Sequence, residues 1–420
     1  MATTGSLRRS LGLVDAIALG LGSMIGAGVF AVFAPAAAVA GSGLLIGLAV
    51  AAVVAYANAT SSAQLAAQYP TSGGTYVYGR AQLGEWPGFF AGWSFVVGKT
   101  ASCAAMGLTF AAYVVPSAWQ KPVALAVVLL LAGINCVGVT RTATVTKVIV
   151  VFVVLVLALV VLAASGPIAG GTRHLSEGPA GNGWYGILQS AGLLFFAFAG
   201  YARIATMGEE VRSPQRTIPR AIVVALGITL AIYAVIAVTA LTALGPEGLA
   251  ASSAPLADLA RSGGWEWAGP IVGLGAAAAS LGALLSLMAG VGRTTLAMAR
   301  NGDLPRSLAA VSARFNVPHR AELTLAVVVC LLILVSDLRS AIGFSSFGVL
   351  LYYLVANLAA YRQDRAHRRF PRALQVVGAL GCTLLVATLP WQSIVSGVVV
   401  LAVGIAYRII RLRLSRRRPS

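Results

Sequence analysis

Charge is scarce in this 420-residue chain: only 10% of it is Asp, Glu, Lys or Arg. Acid is scarcer still, with 12 Asp and Glu against 30 Lys and Arg. Histidine occurs three times (His174, His319, His367) and cysteine four times (Cys103, Cys136, Cys330, Cys382). The histidines fall in predicted loops and the cysteines stand singly inside apolar stretches. That spacing supports neither a zinc site nor a disulfide framework, and buried structural thiols are expected. No Ser-His-Asp set, phosphate-binding loop or metal cluster is legible, so neither enzymatic activity nor a cofactor is expected. Strand-type alternation is missing too, which excludes a membrane barrel.

What the chain does have is apolar length. It is 58% apolar with a mean hydropathy of +0.87, the composition of a polytopic membrane protein. Spans of roughly 20 residues predict twelve helices, at 13–39, 43–67, 88–115, 122–139, 144–165, 184–208, 219–244, 268–297, 322–336, 340–361, 373–389 and 391–410. Arg8 and Arg9 precede an apolar run too long for a cleavable signal, so the first helix is expected to stay. With the N-terminus inside, inner segments and span ends hold 24 Lys and Arg. Outer segments hold four (Lys121, Arg173, Arg261, Arg339), and Lys99 and Arg203 remain within spans. This asymmetry is the positive-inside pattern and places both termini in the cytoplasm of a multi-pass plasma or inner membrane protein. The net charge of +18 therefore belongs to the membrane surface, with a basic tail suited to anionic headgroups. A nucleic-acid partner is not expected.

The first apolar run is interrupted. Residues 22–30 read Gly22-Ser23-Met24-Ile25-Gly26-Ala27-Gly28-Val29-Phe30, and each interior glycine weakens a helix by up to about 1 kcal/mol relative to alanine. Non-helical backbone inside a bilayer persists only where protein or a water-filled cavity satisfies its polar groups. The sixth run carries a second interruption, Phe195-Phe196-Ala197-Phe198-Ala199-Gly200-Tyr201, five spans downstream. Two interrupted spans in corresponding halves point to a transporter's midplane site. A close helix-packing seam is the other reading of Gly22-x-x-x-Gly26.

These residues resemble the amino acid–polyamine–organocation (APC) superfamily of transporters. Gly22–Phe30 resembles its first-helix signature, and Tyr69-Pro70-Thr71-Ser72-Gly73-Gly74-Thr75-Tyr76 its motif after helix 2. Phe195–Gly200 resembles its helix 6 break, Ser213-Pro214-Gln215-Arg216-Thr217-Ile218-Pro219-Arg220 the following loop, and Arg293–Pro305 the close of helix 8. The resemblance implies an all-α membrane protein of about twelve helices with the LeuT-type fold. Residues 1–12 would be a cytoplasmic N-terminus, 13–165 the first five-helix repeat and 184–361 its inverted counterpart. Helices 11 and 12 (373–410) and a basic tail (411–420) would follow. It also implies secondary transport of an amino acid by alternating access, with helices 1 and 6 discontinuous.

On that reading, backbone N–H groups at Ser23, Met24, Ile25, Gly26, Ala27 and Gly28 would hold a carboxylate at the positive end of a half-helix. Carbonyls at Phe196, Ala197 and Phe198, next to Gly200, would accept from the α-ammonium. Phe196 aligns with an aromatic gate over the substrate, or is an ordinary core residue. Tyr201 and Lys147 join the coupling and gating candidates. The helix 5 position that carries a lysine in several proton-linked relatives is Val153 here.

Lys99 lies mid-span, and ionisable residues in that setting mark functional sites. It is expected to couple transport to protons, to engage substrate, or to bond the carbonyls of a broken helix. No acidic residue is expected at midplane: Asp15 and Glu322 are placed at span ends. Arg203 is expected to snorkel or to pair with Glu209 or Glu210. With Lys99 in the cavity and no carboxylate to receive a distal ammonium, a neutral or acidic amino acid is favoured as substrate. Ser280 and Ser286 leave sodium open beside protons. An ion-independent exchanger or exporter, and a transport-inactive sensor or subunit, are the alternatives.

Overall fold

A computed structural model describes residues 11–70, 73–138, 143–168, 183–207, 210–312, 314–315 and 317–416. Regular structure among them is helical, apart from isolated bridge residues such as the pair Leu11 and Val211. Long apolar runs leave the backbone no other way to satisfy its polar groups in lipid. Ten of the helical segments are long and apolar enough to cross a membrane. His319–Val335 and Arg372–Thr388 are shorter, at 17 residues each. The chain is thus an all-α, multi-pass membrane protein.

The first run divides into α1 (Leu13–Met24), α2 (Ala27–Ala31) and α3 (Phe33–Ala40), followed by α4 (Leu44–Gln68), a short α5 (Thr75–Leu83) and α6 (Glu85–Val114). Next come α7 (Gln120–Cys136), α8 (Ala143–Ala163) and the divided sixth run, α9 (Gly183–Phe198) and α10 (Ala202–Ala205). The chain continues with α11 (Pro214–Ala251), α12 (Pro255–Ser262) and α13 (Ala268–Arg300). It finishes with α14 (His319–Val335), α15 (Leu338–Arg362), α16 (Arg372–Thr388) and α17 (Trp391–Arg416).

Helix α6 is the central post: α15 and α13 both pack along it, while α9 and α11 pack on α4. Helices α7, α8 and α17 are buried over a third or less of their spans. They turn exposed apolar side chains such as Leu129, Leu155 and Val399 outward, as lipid-facing helices do.

Two stretches read as loops contain helices. Residues 69–87 fold into α5, which starts after Gly74 (φ 57°), ends at Gly84 (φ 104°) and is anchored by buried Tyr76 and Tyr78. In 245–267, Gly245 (φ 68°) breaks α11 before its last stretch, and Pro255 then opens α12. Proline at the first helical position lacks only a hydrogen bond the helix would not make there, and buried Leu256 and Leu259 supply the packing. His319 is the first residue of α14 rather than a loop residue. The segments rich in Lys and Arg meet on one face. There Leu11 bridges Val211, Lys147 pairs with Asp15, and Arg369 reaches the Gln215 carbonyl. Arg8, Arg9, Thr71, Ser72, His174, Glu209, Arg417 and Arg418 lie outside the described residues.

Candidate functional site

The first run leaves helical geometry where its glycines cluster. Met24 ends α1, Gly26 turns the chain at φ −38° and ψ −132°, and Ala27 begins α2. From there Val32, itself in helical conformation, carries α2 into α3. The opening N–H groups of α2 have no preceding turn to accept them, so a set of donors sits in the interior at the positive end of a half-helix.

The sixth run tightens rather than unwinds. Helix α9 gives way to a single 3-10 turn, Ala199–Tyr201, and α10 resumes at once. Three side chains attend its carbonyls. Tyr233 donates towards Ala197 O at 3.2 Å, while Lys99 Nζ and the Tyr353 hydroxyl each donate to Ala199 O at 3.3 Å. The Tyr233 hydroxyl is also 2.6 Å from Met24 O, so it ties the end of α1 to the end of α9.

The two interruptions are in contact. A Cβ built on Gly200 would run into the Ser23 carbonyl and come within 2.6 Å of Met24 N. On Gly28 it would meet Ala197 Cα and Cβ at 2.8 Å. Glycine at these two places lets the first and sixth runs cross backbone to backbone.

Beside this crossing lies a cavity of about 640 Å³, lined by Ser23, Phe95, Lys99, Met106, Phe196, Gly200 and Ala283 at the level of the breaks. It continues past Asn135, Ser286, Arg293 and Glu322 to Leu11, Gly73, Met207, Glu210 and Val317 on the face that gathers the basic segments. On the other side the Tyr113 hydroxyl bonds Phe30 O at 3.0 Å and accepts from Leu256 N at 3.2 Å, and its ring meets Phe30 edge-on at 5.5 Å. A separate cavity of about 550 Å³, with Lys121, Asp337 and Arg339 in its wall, lies beyond.

Of the residues singled out from sequence, Ser23, Lys99, Phe196 and Gly200 line the main cavity together. Met24, Ile25, Gly26, Ala27, Gly28, Ala197 and Phe198 are packed behind that surface. Tyr201 is fully buried, with its ring 5.0 Å from that of Tyr353. Lys147 stands outside the cavity, paired with Asp15. Val153 is buried at 2% exposure, and of the two span 8 serines Ser286 lines the cavity while Ser280 is buried.

Sequence reasoning missed the cavity's lower wall. Glu322, placed at a span end from sequence, is only 2% exposed and faces the cavity. The absence of a carboxylate in the cavity is therefore corrected, since Glu322 and Glu210 both line it. The helix begins at His319 rather than at 322, so Glu322 is its fourth residue, one turn inside the start. Arg203 also lines the cavity, with Arg293 and Glu210 near it. Cys103 and Cys382 are buried thiols as expected, whereas Cys136 and Cys330 are half-buried.

A family model described as amino acid permease matches residues 11–412. The chain belongs to the amino acid permease family. It is thus a transporter of the APC superfamily rather than an enzyme. An uncharacterised transporter of Mycobacterium tuberculosis is 57% identical over 411 residues, covering 98% of this chain and 93% of that protein. The branched-chain amino acid permease BcaP of Bacillus subtilis is 26% identical, covering 96% and 93%. Cationic amino acid transporter 6, chloroplastic, of Arabidopsis thaliana is 29% identical, covering 93% and 72%. The permease's paired breaks adjoin a cavity that falls in the size range of small-molecule sites.

Proposed function

We propose that this permease carries a neutral amino acid across the plasma or inner membrane by alternating access, driven by protons, with both termini cytoplasmic. Residues 13–165 and 184–361 act as inverted five-helix repeats of the LeuT type, followed by helices at 373–410 and the tail at 411–420. The observation that carries this reading is the contact of the two breaks, Gly200 against Ser23, at the wall of a cavity that leads to one face. Donors opening α2 attract the carboxylate, carbonyls of the 195–200 break attract the ammonium, and Phe196 covers the bound molecule.

Neutral substrate is supported by the walls beside the break: Phe95, Met106, Phe196 and Ala283 are apolar, and Lys99 repels a second cation there. The name of the Bacillus subtilis relative points the same way. Ionisable Lys99 and Glu322 inside the cavity support protons as the driving ion.

Purified protein in liposomes provides the test. Labelled leucine should accumulate when the outside is made acidic, and excess unlabelled valine should compete whereas arginine should not. Competition by arginine alone overturns the neutral assignment. Leucine movement only against internal amino acid, indifferent to pH, would instead establish an ion-independent exchanger.

A further inference from the structure

The buried carboxylate of Glu322 has no role in holding the substrate backbone, yet it sits in the cavity wall. It is 2% exposed, and its Oε2 has no hydrogen-bond partner among the described residues. Its Oε1 lies against Gly292 of α13, where a Cβ would displace it. Each element packed on α14 presents a particular group to it. Helix α13 presents Arg293, α7 the Asn135 amide and Cys136, and α6 Cys103. The 3-10 turn Arg306–Ala309 also packs on α14, but Arg306 is exposed. On α14 itself His319 stands one turn earlier with its Nδ1 unpartnered, and Arg320 is exposed.

The position along the cavity matters. Val317 and Pro318, just before α14, line the same cavity, so Glu322 sits one helical turn inside its mouth. While the cavity is open, the water filling it lies beside this nearly dry wall, and that water and Arg293 together help a bare carboxylate. Closing the mouth removes the water. An ionised, incompletely paired carboxylate then carries a desolvation penalty, which a bound proton abolishes.

From this arrangement we propose that Glu322 is a proton-binding site governing closure of the cavity mouth: the mouth closes over the protonated acid and is held open by the carboxylate. The proposal deepens the transport reading by assigning a regulator to the same cavity. It makes the step that closes the cavity depend on the pH of the face bearing Leu11, Met207 and Val317. The proton exchanges with water that enters by that face while the mouth is open.

The test needs no substrate. Ser286→Cys places a thiol in the cavity wall, with Cys136 and Cys330 changed to serine. A membrane-impermeant maleimide is applied from the basic face, and labelling rates are compared with and without Glu322→Gln at each pH. Dividing the rate in the protein that keeps Glu322 by the rate in the Glu322→Gln background cancels the thiol's own titration. This ratio should rise at least five-fold between pH 5.5 and 8.5. Glu322→Asp should keep the rise, and thermal unfolding of each variant shows whether it is folded. A pH-independent ratio, or a Glu322→Asp variant that behaves like Glu322→Gln, overturns the proposal. Failure of the transport reading is seen separately, as absence of any amino acid uptake by the wild-type protein in liposomes.

Discussion

Gly200 of the sixth apolar run rests on the Ser23 carbonyl of the first, with no room between them for a methyl group. The obstructing atoms are backbone, so no side-chain rotation can relieve the conflict. Gly200→Ala should therefore push the two breaks apart. Overpacking of this kind destabilises by roughly 1–3 kcal/mol, and the displaced backbone is the surface assigned to the substrate. Labelled leucine uptake should fall at least ten-fold while the protein still purifies folded. Uptake within two-fold of wild type would show that the crossing tolerates separation.

Tyr233 should prove a second tie between the same segments. Its hydroxyl reaches Met24 O at 2.6 Å and Ala197 O at 3.2 Å from a buried position on α11. Tyr233→Phe keeps the ring, which packs against Phe198 at 5.1 Å, and removes only the hydroxyl. The loss should be about 1 kcal/mol of stability, visible as a lower melting temperature. The apparent KM for leucine should rise several-fold as the breaks lose their alignment. A lower melting temperature with unchanged KM would confine Tyr233 to a structural role.

Lys99 offers a test in which two substitutions diverge. Its Nζ donates to Ala199 O across the 3-10 turn of the sixth run. Glutamine can still donate to that carbonyl, whereas methionine keeps the stem and cannot. Lys99→Met should weaken leucine binding about ten-fold, near 1.4 kcal/mol, and Lys99→Gln should recover part of it. If Glu322 carries the proton, Lys99→Gln should also keep the wild-type response to pH. Loss of that response in Lys99→Gln alone would move the proton to Lys99.

Much of this was legible because apolar length and glycine punctuation act locally. The expected first-run interruption at Gly22–Gly28 and the sixth-run interruption at Phe195–Gly200 appear where α1 gives way to α2 and α9 to the 3-10 turn. What the sequence hid was direction. The glycines at 26 and 28 announce a close approach without naming its partner: a Cβ there would meet Ala283 and Ala197, because which side of a break faces a neighbouring helix is decided by packing from distant segments. Glu322 was hidden for a related reason. A carboxylate one turn inside a helix is interfacial if that end is solvated, and here α6, α7 and α13 enclose it. Helix α12 was concealed by its small size and Gly/Pro/Ser-rich surroundings, since its stability comes from the burial of Leu256 and Leu259.

Asp303 makes the sharpest stability prediction. Its Oδ2 accepts from Tyr76 at 2.7 Å and from Arg80 Nη1 at 2.9 Å, and its Oδ1 accepts from Arg408 Nη1 at 2.7 Å. The Arg408 side chain is 4% exposed, and its guanidinium lies 4.7 Å from the ring centres of both Trp86 and Phe89. One carboxylate thereby joins the end of α13 to α5 and α17. Burial and the Asp303 carboxylate push the Tyr76 phenol up to about 12, so it stays a donor to Asp303 at any working pH. Asp303→Asn removes the buried countercharge of Arg408, whose Nη2 keeps only the exposed Glu85 carboxylate at 3.5 Å, a loss of about 3 kcal/mol. At roughly 2–4 °C per kcal/mol, the melting temperature should drop by about 6 °C or more. Adding Arg408→Leu to Asp303→Asn should restore part of it, because the stranded cation is gone. Leucine affinity should hold in both variants, since Asp303 and Arg408 stand outside the cavity wall. If the double variant is less stable than Asp303→Asn alone, the stacking of Arg408 on Trp86 and Phe89, rather than its ion pair, is what holds α17 in place.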